Sequence, residues 1–109
     1  MKDILDQFPN KLRLGSSDLF AFTHDDALLF LDLLYNRRKY IVLGGDVYDE
    51  SLHNICDTWY YMPQTPKNHI EESYQKAHDY IVSYKNNKTC MVYFVFTIEK
   101  AEIILPLKL

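Results

Sequence analysis

Apolar positions along the chain repeat at helical spacing in two places. In ALLFLDLLYNRRK, Ala27, Leu31, Leu34 and Tyr35 recur on one helical face, and Leu28 and Phe30 widen the stripe. Thr23 is a fitting N-cap, and Asp25 and Asp26 occupy the first turn, where carboxylates favour the helix dipole. Arg37, Arg38 and Lys39 mark the other end, where cations do the same. A second helix is expected from about Lys67 to Lys85, ended by Asn86-Asn87. Its apolar residues Ile70, Tyr74, Ala77, Ile81 and Tyr84 alternate spacings of 4 and 3, which gathers them on one face. Glu71, Glu72, Lys76 and Asp79 then face solvent.

Shorter apolar runs read as strands. They are Leu19 to Phe22, Tyr40 to Leu43, Asp57 to Met62 before Pro63 and Pro66, and Cys90 to Ile98. A further short strand is expected from Glu102 to Leu105, closed by Pro106. Ahead of them, Ile4 to Phe8 suits a short helix stopped by Pro9, and LRLGSSD, Leu12 to Asp18, is turn-rich. Residues 1–17 read as an N-terminal extension packed on a single domain spanning 1–109.

The order strand, helix, strand, strand, helix, strand predicts a two-layer α+β fold, with two helices on one face of a mainly antiparallel sheet. That order matches the split βαβ pattern of ferredoxin-like domains. One feature opposes that topology. The last long strand is the most apolar, yet the ferredoxin-like order leaves it at an edge, where a hydrophobic strand is a liability. Either the final ILPL segment covers it or the strands are ordered differently.

Composition narrows the function classes. With 109 residues the chain can bury a core without staples. Its formal charge is −3 and its basic residues form no stripe, which opposes binding to phosphate backbones. Aromatics make up 15%, with nine Tyr, and surface rings of that kind suit a protein-binding face. Cys56 and Cys90 form no CxxC pair and have apolar neighbours, so both read as reduced, buried cysteines of an intracellular protein. The first residues lack an apolar signal core, and the longest apolar run, CMVYFVF, is too short to span a bilayer. The expectation is a soluble cytoplasmic protein.

No complete catalytic constellation is present. His53 and Cys56, in HNIC, have the spacing of two zinc ligands, but a structural zinc needs four. His69 and Glu72 share a helix face, and His78 faces elsewhere; the histidines read as solvated or half-buried. Ser16-Ser17-Asp18 resembles a turn more than an activated serine. Asp57 would raise the Cys56 thiol pKa, not lower it. CMVYFVFTI lacks the glycine and basic residue of the RNA-recognition signature. The expectation is no catalysis, no cofactor and no bound metal.

What remains is YIVLGGDVYDE. Gly44 and Gly45 permit positive φ or a close backbone approach, and so a bulge or bend between strand halves. Beyond them, Asp46, Tyr48, Asp49 and Glu50 place three carboxylates and a phenol close together. If Val47 points inward, Asp46 and Tyr48 share the outer face. The GGD hairpin of cyclic-dinucleotide cyclases is superficially similar, but Val47 replaces its acidic residue and the chain is too short for that domain.

The run VLGGDVY, preceded by a helix opening with DDAL and followed by a strand containing Trp59, resembles a family of immunity proteins of bacterial polymorphic-toxin systems. The resemblance covers residues 18 to 62. It implies a cytoplasmic protein without catalysis that binds and blocks a cognate toxin. It points to Gly44, Gly45, Asp46, Tyr48 and Trp59. Adjacent Asp49, Glu50 and Tyr60 complete the expected partner surface, with Gly44 and Gly45 serving the backbone turn. An acidic, tyrosine-rich surface suits a basic toxin. Against a nuclease, its carboxylates would stand where substrate phosphates lie. The alternative reading is a small-ligand or metal-binding regulatory domain using the acids from Asp46 to Glu50.

Overall fold

The computed structural model describes residues 1–15, 19–62, 69–84 and 91–101. Its elements in chain order are α1 (Lys2–Leu5), β1 (Leu12–Arg13), β2 (Phe20–Phe22), α2 (His24–Arg37), β3 (Tyr40–Asp49), β4 (Asn54–Tyr60), α3 (His69–Ser83) and β5 (Val92–Lys100). The sheet is antiparallel at every pairing, with order β1-β2-β5-β3-β4. The chain is α+β with two main helices, as its periodicity predicts.

The strand order is not the ferredoxin-like one. β5 lies in the middle, between β2 and β3, and carries buried Phe94, Val95 and Phe96. A strand apolar on consecutive residues needs both faces and both edges covered. The central position covers the edges, which resolves the objection raised by its sequence. The expected strand from Glu102 to Leu105 and the residue Cys90 lie outside the described residues.

Local chemistry sets the element ends. The Thr23 hydroxyl accepts from the Asp26 N–H at 3.4 Å and caps α2. Arg38 closes that helix in the left-handed region, φ 56. Its guanidinium lies over Tyr35 and bonds Glu71 at 3.0 Å, tying the helix end to α3. Arg37 pairs with Asp3 of the N-terminal segment.

Ala27, Phe30, Leu31 and Leu34 of α2 pack with Ala77 and Ile81 of α3 over Val42, Val47, Phe94 and Phe96. The extension joins them: Ile4 and Phe8 are 1% exposed, and the Phe8 ring meets Phe22 edge-on at 5.5 Å. The turn-rich segment after it hides a strand. Leu12 and Arg13 pair with Ala21 and Phe20. Two residues are too few to show an alternation.

Two expectations need correction. The buried stripe of α3 runs through His69, Ser73, Ala77 and Ile81, while Ile70, Tyr74 and Tyr84 are only partly buried. His69 is buried, not solvated, and its ring meets Tyr61 edge-on. The reason lies in β3. It does not end at the glycines but runs unbroken to Asp49, with a register slip against β5 between Val42 and Gly44. At that bulge the Val42 N–H leaves the ladder, and the Ser73 hydroxyl accepts it at 3.1 Å. A buried serine therefore occupies the helix face where an apolar residue would leave an amide unmatched. Ser73→Ala is expected to destabilise the domain by about 1–3 kcal/mol, read by urea denaturation. A cost near zero would remove this account of the bulge.

Candidate partner-binding site

Val47 is fully buried, so strand alternation does place Asp46 and Tyr48 together on the face away from the helices. Opposite them on that face stand Val95 and Tyr93 of β5, and Thr58 of β4 opposes Asp46 on the other side. Gly44 and Gly45 lie where the backbones crowd. A Cβ on Gly44 would fall 2.2 Å from the Trp59 carbonyl oxygen, and one on Gly45 would fall 2.4 Å from both the Val95 oxygen and the Trp59 ring. The glycines thus let three strands approach around one indole.

Trp59, expected on the partner surface, is 5% exposed and belongs to the core. It stacks on Tyr80 of α3 at 4.5 Å and meets Phe96 edge-on. The reason is register: Trp59 opposes Gly45 on the helix face, and only a glycine there leaves room for it. Its neighbour Tyr60, on the opposite face, is 68% exposed, and Met62 beyond it is 72% exposed. Tyr60, Met62, Asp46 and Thr97 border a cleft of about 370 Å³ floored by Gly44 and Gly45. The half-buried Asp46 carboxylate makes no hydrogen bond or ion pair among the described residues. Asp46 and Asp57 both act on Tyr80, whose hydroxyl is pushed up first by burial and then by these two charges.

The other acids separate. Asp49 closes the β3–β4 hairpin: its carboxylate accepts from the Ser51 and His53 N–H groups, each at 2.9 Å. Glu50 stands exposed in that turn. Asp57 accepts from the Tyr84 hydroxyl at 2.7 Å, and burial followed by this bond raises the Tyr84 pKa. Cys56 is exposed rather than buried, because it sits at φ 66 in an irregular stretch of the edge strand. Glu72 is exposed, as expected, and accepts from Tyr61 at 2.8 Å; burial and this bond push the Tyr61 hydroxyl up to about 12.

The sequence model of the family described as Immunity protein 40 matches residues 11–98. The chain belongs to the Immunity protein 40 family. No curated protein and no solved structure matches it. The matched span of this Immunity protein 40 chain takes in every element from β1 to α3 and all but the end of β5, far more than residues 18 to 62. The family indicates an immunity protein, and such families generally act without catalysis of their own.

Two further features bear on the alternative reading. Among the described residues of this Immunity protein 40 chain, no three His, Cys, Asp or Glu side chains gather closely enough to hold a metal ion. A hollow of about 600 Å³ opens between the N-terminal segment, β2 and β5, with Leu5, Phe20, Phe22 and Ile98 in its walls and the exposed Glu99 and Lys100 as its charged residues. No helix among the described residues is long and apolar enough to cross a membrane.

Sequence reasoning named Asp46 and Tyr60 but not Met62, Thr58 or Thr97. Their signal is positional. Each lies on the outer face or just past a strand end, which becomes visible only once the strand order joins β3 to both β4 and β5.

Proposed function

We propose that this Immunity protein 40 chain binds and neutralises a cognate bacterial polymorphic toxin in the cytoplasm. Contact is made at the cleft where Asp46 meets Tyr60 and Met62, flanked by Tyr48 and Glu50. Asp49 contributes by holding the hairpin in shape, and Trp59 by supporting the cleft from beneath. One observation supports the reading: a half-buried carboxylate with no hydrogen bond or ion pair among the described residues shares a cleft with an exposed tyrosine and an exposed methionine. A carboxylate in such a place can be completed by a group from outside the described residues. A basic group of a partner would complete it. Tyrosine gives a rigid amphipathic anchor, and methionine adapts to irregular apolar surface.

The test starts from the gene immediately upstream of this chain's own, which is expected to encode the toxin domain. Co-expression is expected to restore growth of cells making that domain, and the two chains are expected to co-purify. A toxin domain that neither binds the chain nor is neutralised by it would end this reading.

A further inference from the structure

Among the described residues, β4 is an edge strand of the five-stranded sheet. The Tyr61 N–H donates to the Leu43 carbonyl at 2.9 Å, which makes those two residues a hydrogen-bonded pair. Bonded and non-bonded pairs alternate along an antiparallel ladder. Gly45 and Trp59 form the next bonded pair, so Tyr60 and Thr58 fall on non-bonded positions. Their N–H and C=O groups therefore point away from β3, at the free edge. Nothing among the described residues bonds to those groups, and both residues are exposed.

The rest of the edge is closed to pairing. The β3–β4 register slips between Asp46 and Tyr48, Cys56 takes a left-handed φ of 66, and its N–H is taken up by Asn54 Oδ1 at 2.8 Å. Bulges that twist an edge are one way proteins keep it from being extended by other chains, and an N–H taken by a side chain is not offered to one. The protection stops short of TWYYM, Thr58 to Met62, which holds no charge, proline or bulge of its own.

We infer that the partner lays an extended, basic segment of its own along Thr58 to Met62 and adds a strand to the sheet. The inference rests on the toxin-binding reading and specifies how the toxin docks. Main-chain bonds to an edge supply affinity, and side chains on either face supply specificity. Basic residues are selected by charge: Asp57 adjoins the open stretch, Asp46 opposes Thr58, and the chain carries a net −3. A second copy of this chain would bring the same carboxylates against their like.

Amide hydrogen exchange, resolved residue by residue by NMR, tests this on the unaltered chain, free and bound to the upstream-encoded toxin domain. The Thr58 and Tyr60 amides are expected to exchange at least about 100-fold more slowly in the complex. A complex in which both amides exchange as in the free chain overturns this inference and leaves the toxin reading standing. Failure to form any complex overturns both. Protection that grows with the concentration of the free chain would assign the edge to a second copy and overturn it as well. As a second arm, Thr58→Pro removes an outward N–H that β3 does not use. It is expected to weaken binding about tenfold beyond Thr58→Ala, since the two differ by a main-chain hydrogen bond. Equal affinities of the two folded variants would count against the added strand.

Discussion

Alanine at Gly45 is expected to destabilise the domain by about 4 kcal/mol or more, enough to leave a marginal fold largely unfolded. The new methyl would lie 2.4 Å from the Val95 carbonyl oxygen and 2.4 Å from the Trp59 ring. The first obstacle is backbone of β5, which cannot rotate away. The second is an indole held between Tyr80 and Phe96. Relief requires β3 to part from β5 or Trp59 to leave the core. Gly44→Ala meets a comparable obstacle in the Trp59 carbonyl and adds strain from φ +149. Gly15→Ala supplies the contrast. Gly15 also has a positive φ, +57, but beyond its chain neighbours no atom of the described residues lies within 4 Å of the added methyl, so only the backbone strain of about 1–2 kcal/mol applies. Urea denaturation followed through the fluorescence of Trp59 reads all three. If Gly45→Ala costs no more than Gly15→Ala, the close approach is not what holds the glycine.

Those glycines also show how far the sequence could be read. Helix α2 was legible almost to its ends, because a threonine cap, a first turn of aspartates and a terminal run of arginines each mark a position by local chemistry. The α+β class was legible from element order. Strand continuity through Gly44 and Gly45 was not. Two glycines read locally as a bend, and only the strands on either side reveal that they clear space inside a continuous β3. The place of β5 was half legible. Its run of apolar residues argued against an edge, but naming its neighbours required long-range pairing with β2 and β3.

The candidate site divides the same way. Outward Asp46 and Tyr48 followed from alternation as soon as Val47 was inward. Ordinary burial trends favour the core for Trp59 and leave its neighbour Tyr60 undecided; one is core and the other surface because a strand sends neighbours to opposite faces. Asp49 and Glu50 looked like members of one acidic cluster with Asp46. The hairpin turn separates them and uses the Asp49 carboxylate for its own amides.

Neutralising Asp46 is expected to weaken toxin binding without weakening the fold. In the free chain its carboxylate is half-buried and makes no hydrogen bond or ion pair among the described residues, so Asp46→Asn is expected to leave stability unchanged or raise it by up to about 1 kcal/mol. In the complex the same change deprives the partner's basic group of its counter-charge. Affinity for the upstream-encoded toxin domain is expected to fall about 30-fold, or about 2 kcal/mol, with a flatter salt dependence of the association rate. Tyr60→Ala is expected to cost at least as much affinity, because a ring 68% exposed in the free chain contributes little to folding and is free to anchor a partner. Asp79→Asn, on the exposed side of α3, serves as the control for general charge and is expected to change affinity less than twofold. Opposite signs for stability and affinity at Asp46 distinguish a group kept for a partner from one kept for the fold. Loss of stability on neutralising it, with binding intact, would return Asp46 to a structural role.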